Sequence, residues 1–346
     1  MNIAVTGSSG FLGKKFIDLY GDNFDAVIKL NSKKAPLNDK VKMISMTKKV
    51  KVIVHFAFDH EYKSNIIGIR NILEACKVNG ISKLIFISSV SVYDPFVEGS
   101  LNEGAKYSKL YEPYSMEKQN IEKLLEKEKN EFLDILMLQP SIVYGIGGNW
   151  SKFIFNSLKT DKIFLPNKGR AYCNAVYVND VAQAVYMACV SKRIKKRRLR
   201  VLVSGEKAIK WSEFYQLHHK LLIGLNLPSQ FSINDVKKLN KYSGSSLKNI
   251  IFYLWYETPT GLLFNYFISA LKKIRSKKFV NTSKIENFIT FIKSDIKDGK
   301  SEPLGITYTN HNINYQINID LSKNEIGYSP KYDANLAFNE IGRAHV

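Results

Sequence analysis

The first twenty residues constrain the fold more than any other stretch. Asn2-Ile3-Ala4-Val5-Thr6 is a short apolar run of strand character, and Gly7-Ser8-Ser9-Gly10-Phe11-Leu12-Gly13 is a glycine-rich turn. Lys14-Lys15-Phe16-Ile17-Asp18-Leu19-Tyr20 then reads as helix. Strand, glycine turn and helix in that order is the context a dinucleotide fingerprint requires. Glycines there allow a tight turn, close approach of backbone to a pyrophosphate, and close helix–strand packing. The helix start would face the phosphates with free N–H groups and its positive dipole end. Gly7, Ser9, Gly10, Phe11, Leu12 and Gly13 are the candidate contacts. The spacing is Gly-x-x-Gly-x-x-Gly rather than Gly-x-Gly-x-x-Gly, and a glycine turn that binds nothing is the competing reading.

Ala26-Val27-Ile28-Lys29-Leu30 predicts the second strand. Its end should carry an acidic residue if the adenosine ribose keeps a free 2′-hydroxyl. It carries Asn31, Ser32, Lys33 and Lys34 instead. Two cations where a 2′-phosphate would sit tilt the cofactor from NAD toward NADP, with Asn31 and Lys33 as contacts; solvated loop lysines are the alternative. Residues 42–45 and 50–57 read as the third and fourth strands. Too few residues separate them for a full crossover helix, so either that crossover is shortened or one strand is misread. A helix over 66–78, a strand over 83–89 and another over 133–137 follow. Strands alternating with helices predict a parallel sheet covered on both faces.

Tyr114 and Lys118 stand four apart in Tyr114-Ser115-Met116-Glu117-Lys118, on one face of a predicted helix. An ammonium near a phenol favours the phenolate and so lowers its pKa. Such a tyrosine can pass a proton to or from a substrate hydroxyl near neutral pH. Taken alone, the pair also fits a solvated tyrosine beside a salt-bridging lysine.

Composition narrows the partners. Lys+Arg number 51 against 31 Asp+Glu, a formal charge of +20. That excess suits an anionic partner, although lysine scattered among many Asn and Ile residues also reflects an AT-rich genome. Cys76, Cys173 and Cys189 are far apart with no metal or disulfide spacing, as in a reducing cytosol. The chain starts directly on a strand pattern, so no signal peptide is expected. No apolar run reaches the length of a membrane span.

Six motifs stand in order: Gly7/Gly10/Gly13, His55-Phe56-Ala57, Ser88-Ser89-x-x-Val92-Tyr93, Tyr114-x-x-x-Lys118, Pro140-x-x-Val143-Tyr144-Gly145 and Val178-Asn179-Asp180-Val181-Ala182. Together they resemble the extended short-chain dehydrogenase/reductases, the NAD(P)-dependent epimerase/dehydratases. The likeness covers roughly residues 1–215 and returns at 320–330. It implies an α/β fold of Rossmann type, a doubly wound parallel sheet over 1–205 with 147–172 contributing to the substrate cleft. A smaller, mostly helical substrate domain is expected over 206–339.

The resemblance also implies roles. Tyr114 would be the general acid/base, Lys118 would orient the nicotinamide ribose, and Ser89 would hydrogen-bond the reacting oxygen, with Ser91 as alternative. Phe56, Ala57, Pro140 and Val143 would line the cofactor, Asn65 would support the site, and Asp180 would be structural. The activity implied is hydride transfer on a sugar hydroxyl or ketone, the sugar linked to a nucleotide. A hydroxysteroid or dihydroflavonol-type ketone reductase and a non-catalytic NADP(H)-binding regulator are the rivals. Departures matter here. Val90 and Ser91 replace the Asp-Glu of the sugar 4,6-dehydratases, which argues against water elimination. Gln139 replaces an arginine. Cys173 stands where an arginine grips the diphosphate, leaving Arg170 as a substitute.

Seven cations fall within Lys192–Arg200, read as a solvated loop ahead of an acidic membrane surface. Nucleic acid is not expected, because stacking aromatics are not interleaved. Two apolar-aromatic blocks near 249–278 precede a cationic cluster and read as a lid or as an interfacial segment. The expected partners are an anionic small molecule, a membrane touched through that insert, and a second copy of the chain. Residues 340–346 match the translation of a widely used sequencing adapter and are expected to be a non-native tail.

Overall fold

Side-chain alternation along six strands builds the molecule outward from one parallel sheet. The computed structural model describes residues 1–59, 62–109, 112–159, 163–227, 229, 231–235 and 313–343. In chain order the first half contains β1 (Asn2–Thr6), α1 (Phe11–Tyr20), β2 (Ala26–Leu30), α2 (Lys40–Met46), β3 (Val52–His55), α3 (Tyr62–Asn79) and β4 (Lys83–Ile87). A short β5 (Gly99–Leu101) precedes α4 (Pro113–Glu126), β6 (Asp134–Pro140) and β7 (Ile142–Tyr144). Then come α5 (Asn149–Leu158), β8 (Ile163–Leu165), β9 (Tyr172–Cys173), β10 (Ala175–Tyr177), α6 (Val178–Val190) and β11 (Arg198–Val203). β12 (Ile209–Lys210), α7 (Trp211–Gly224), β13 (Ile233–Asp235), β14 (Tyr315–Ile317), α8 (Asp320–Ile326) and α9 (Ala334–Arg343) complete the described chain.

The main sheet runs β11-β6-β4-β3-β1-β2 with every pairing parallel. Successive strand residues point to opposite faces. Ile3, Val5, Val54, Ile85 and Leu136 therefore enter one core with α6, while Ala4, Ile53, Leu84 and Met137 enter a second with α3. A parallel sheet buried on both faces is the doubly wound architecture the alternation predicts. The strand order reverses between β1 and β3, which places the ligand crevice at their carboxyl ends. A third cluster joins β7, α5, α7 and α9 around Tyr144, Trp211, Phe214 and Phe338.

One strand expectation is overturned. Residues 42–45 lie in α2, not in a strand, with the Asp39 side chain accepting from the Lys42 N–H at 2.9 Å. That N-cap makes a short crossover helix possible where a strand was read. Met43 is fully buried and packs beneath α3, so the apolar pattern is real and only its period was misjudged.

The basic run is only partly a solvated loop. Arg198 and Arg200 belong to β11. Arg198 donates to the carbonyls of Glu128, Asn130 and Leu133, pinning the loop that leaves α4. Arg200 pairs with Glu126 at 3.2 Å and lies over the Tyr107 ring. Lys83 caps α6, donating to the carbonyls of Ala188, Cys189 and Ser191 at 3.0–3.1 Å, where the helix dipole favours a cation.

The apolar blocks near 249–278 lie outside the described residues. Among the described residues no helix is long and apolar enough to cross a membrane. Residues 340–343 continue α9, where Glu340 accepts from Asn179 at 2.9 Å and Ile341 is buried.

Candidate active site

The turn after β1 is made by space. Gly7 adopts φ +64, and a Cβ there would lie 2.6 Å from the backbone nitrogen of Ala57. At Gly13 it would lie 2.3 Å from the Gly7 carbonyl oxygen. The turn, β3 and the start of α1 thus touch backbone to backbone. Gly10 caps α1 without a side-chain hydrogen bond. The first N–H groups of a helix have no intrahelical acceptors, so those of Phe11, Leu12 and Gly13 point out of the turn, beside exposed Ser9. Such a cradle fits a pyrophosphate.

At the adenosine end, Asn31 shapes the loop itself. Its Oδ1 accepts from the backbone N–H groups of Lys33 and Lys34 at 3.1 and 3.0 Å. Ser32, Lys33 and Lys34 are left exposed. Of the remaining cofactor candidates, Phe56 packs on Phe16 with ring centroids 5.7 Å apart. Ala57 donates its N–H to Thr6. Pro140 ends β6 against Val203, and Val143 lies in β7.

The Tyr114–Lys118 region is made by crowding. Glu112 caps α4, accepting from the N–H groups of Tyr114 and Ser115 with both carboxylate oxygens. The Ser89 side chain lies near enough to the Tyr114 hydroxyl to lower its pKa. The Ser89 Oγ also accepts from the Ser91 N–H at 3.1 Å. The Ser91 hydroxyl itself is buried without a partner among the described residues. Of the two candidate serines, Ser89 is the one brought to Tyr114.

Lys118 lies one turn along α4 and is 5% exposed. Its Nζ donates to the Ile87 carbonyl at 2.9 Å. Burial lowers its pKa to about 8, against the raising pull of Glu117 and Glu122. The Tyr114 hydroxyl moves the other way from the expectation. Burial raises it to about 12, the Ser89 side chain lowers it, and Glu112 and Glu117 add to the rise. Whole-residue exposure of 39% describes the entire side chain, whereas this acidity reports the hydroxyl alone. The ammonium stands 5.6 Å from the Tyr114 ring centroid, and desolvation of the phenolate sets the direction of the shift.

Arg170 is exposed at the end of the 3-10 turn Pro166–Gly169, in the lobe of β8 and β9 rather than on α4. Cys173 is fully buried, and its thiol is pushed well above its ordinary pKa by burial. It offers no charge to a substrate. Asn65 links the loop after β3 to α4. It exchanges two bonds with the Asp59 backbone at 2.7 and 2.8 Å and donates to Glu117 at 2.5 Å. Asp180 accepts from the N–H groups of Lys331 and Tyr332, a structural use.

Sequence reasoning missed Phe58, Phe86 and Glu117. The Phe58 ring stands 5.3 Å edge-on from Tyr114, and the Lys118 Nζ is 4.7 Å from the Phe58 centroid and 4.9 Å from that of Phe86. The available signal was position. Phe58 directly follows the His55-Phe56-Ala57 motif, and Glu117 directly precedes Lys118.

A family model described as the NAD dependent epimerase/dehydratase family matches residues 3–201, more than half the chain. The chain belongs to this family. It is an enzyme of that NAD-dependent group by membership. The N-acetyl-alpha-D-glucosaminyl-diphospho-ditrans,octacis-undecaprenol 4-epimerase of Escherichia coli O157:H7 is 22% identical over 337 residues, covering 89% of this chain and 91% of that protein. The 3 beta-hydroxysteroid dehydrogenase/Delta 5-->4-isomerase of Monkeypox virus is 28% identical over 220 residues, covering 52% and 63%. Among solved structures, the UDP-glucose 4-epimerase of Thermotoga maritima with UDP-glucose matches at TM-score 0.66 and 16% identity, covering 99% of this chain and 98% of that one. At that identity the likeness speaks to fold alone.

Proposed function

We propose that this epimerase/dehydratase-family enzyme interconverts a hydroxyl and a ketone on a diphosphate-linked sugar, as a 4-epimerase does. The near end-to-end match to an epimerase of a diphospho-linked N-acetylglucosaminyl lipid supports that substrate class. The observation that carries the reading is Ser89 beside the Tyr114 hydroxyl, with the Lys118 ammonium 5.6 Å from the Tyr114 ring one helical turn away. Held in the Gly7–Gly13 cradle, a nicotinamide dinucleotide supplies the two-electron chemistry by taking or giving a hydride. The chain supplies the proton path. With its hydroxyl raised to about 12, Tyr114 is protonated at neutral pH; it would give that proton to a ketone oxygen as hydride reaches the carbon, and the phenolate would take a proton back when a hydroxyl is oxidised. Ser89 orients that oxygen. Lys118, carrying charge below about pH 8, stabilises the phenolate left behind and binds the ribose. Lys33 at the exposed turn after β2 favours NADP(H).

Tyr114→Phe is the direct test. General acid/base groups contribute about 10²–10⁴-fold, so sugar-nucleotide turnover should fall by at least about a hundredfold while nucleotide binding stays intact. Unchanged turnover sinks the reading. Copurifying, recycled cofactor marks an epimerase, whereas consumed cofactor marks a reductase.

A second reading rests on Cys173. A fully buried thiol in the place of a diphosphate-gripping arginine suits a substrate without a diphosphate. The steroid dehydrogenase relative belongs to that alternative. Turnover of a hydroxysteroid, with no response to any diphospho-sugar, would favour it.

A further inference from the structure

Lys118 poses a solvation problem. A buried ammonium must replace water on each of its three N–H groups. At 5% exposure, it donates to the Ile87 carbonyl at 2.9 Å. Three rings stand within cation–π range of about 6 Å, Phe58 at 4.7 Å, Phe86 at 4.9 Å and Tyr114 at 5.6 Å. Phe86 belongs to β4, is 1% exposed, and stacks on His55, so the sheet fixes it. Phe58 differs. It comes from the loop after β3 and is 39% exposed.

That loop is tied to α4 beside the ring. Asn65 binds both backbone groups of Asp59 and also the Glu117 carboxylate. The residue following Phe58 is thereby fastened to the residue preceding Lys118. Phe58 also meets the Tyr114 ring edge-on at 5.3 Å. One ring therefore touches both members of the pair, and a single asparagine sets its seat.

We propose that Phe58 is a positioning residue for Lys118 and Tyr114, its ring face completing the cage that keeps the ammonium charged. This rests on the catalytic roles assigned above, but the cage is testable without turnover. The titratable groups facing Lys118 are Tyr114, Glu117 and Glu122 of α4 and His55 of β3. His55 is held neutral, its pKa lowered by burial to about 3. Of these groups Tyr114 is itself in ring contact with Phe58.

Phe58→Leu keeps apolar bulk and removes the π face; Phe58→Trp restores it. The readout is the pH dependence of the Lys118 Cε carbon NMR shift in the full chain, assigned with Lys118→Arg, with exposed Lys129 as internal reference. Loss of the ring face should lower the Lys118 midpoint by about half a unit to one unit. Phe58→Trp should return the midpoint to within a few tenths of the parent's. An unchanged midpoint in Phe58→Leu, or equal shifts in Leu and Trp, overturns the proposal. Failure of the catalytic reading looks different: Tyr114→Phe would keep its turnover while the Phe58 shift persisted.

Discussion

The two ends of the cleft are built by opposite means. At the turn after β1 the site exists because side chains are absent, and a methyl group at Gly7 or Gly13 would overlap backbone. On α4 it exists because side chains are crowded. Lys118 is enclosed by rings and a carbonyl, and Asn65 spends its amide on two segments at once. The first end tolerates no addition and the second no removal. Space can be read in a sequence as glycine, whereas crowding depends on residues far apart in the chain.

The largest effect should come from filling the space. Gly7→Ala places a side chain at φ +64 and 2.6 Å from the Ala57 nitrogen. Backbone strain of this kind costs about 1–3 kcal/mol before the overlap is counted. Affinity for NAD(H) should fall by about tenfold to more than a hundredfold, read by fluorescence titration. Gly80 is the control, since it shares a positive φ of +63 but has nothing within 4 Å of its Cβ position. If Gly80→Ala lost nucleotide binding as well, strain alone would explain Gly7 and the contrast would collapse.

A second buried titratable group lies in the cluster of β7, α5 and α7. The Gly145 N–H donates to the Ser151 Oγ, which stands 3.4 Å from the His218 Nε2, and the His218 Nδ1 is 2.9 Å from the Phe214 carbonyl. The arrangement that satisfies every atom has Nδ1 donating and Nε2 accepting. Three residues on, Gly148 approaches the Phe11 ring, to 2.9 Å from its Cβ position. Burial lowers the His218 pKa from its ordinary 6.5 to about 4. As pH falls below 6.5 the unfolded chain takes this proton first, so the stability present above 6.5 is lost down to about pH 4. At pH 5 the loss is on the order of 2 kcal/mol. His218→Gln should therefore lose about that much less than the parent between pH 7 and 5 in urea unfolding. Equal acid losses would place the sensitivity elsewhere.

Sequence legibility follows the same division. Gly7, Gly10 and Gly13 announce the turn because no other residue fits it. Tyr114 and Lys118 were visible because one helix supplies both. Ser89 was visible through its motif, and the choice over Ser91 needed its place beside the Tyr114 hydroxyl. The α2 helix was misread because four residues cannot distinguish a period of two from 3.6, although Asp39 three residues before Lys42 was an available cap signal. Arg198 and Arg200 were expected in a solvated loop, and nothing local marked Lys83 as a helix cap. Their acceptors are carbonyls, a carboxylate and a ring brought in by the sheet and its helices, and no local pattern records them. The raised pKa of Tyr114 was equally hidden, since desolvation depends on what packs around α4.

The smallest effect tests whether the adenosine end belongs with the spacious half. The Asn31 carbonyl is already engaged by Lys33 and Lys34, so the loop is preformed without a carboxylate to reject a 2′-phosphate. Lys33 is exposed, and exposed charge pairs are worth about 0–1 kcal/mol. Lys33→Ala should thus weaken NADP(H) relative to NAD(H) by about fivefold or less, and Lys33→Glu by roughly the square of that factor. Both variants should leave the Lys118 titration unmoved, because the two ends use different chemistry. A constant NADP(H)/NAD(H) ratio across parent, Ala and Glu forms would remove Lys33 from the site. The preference would then have to arise at Ser32 or Lys34, the other exposed residues of that turn.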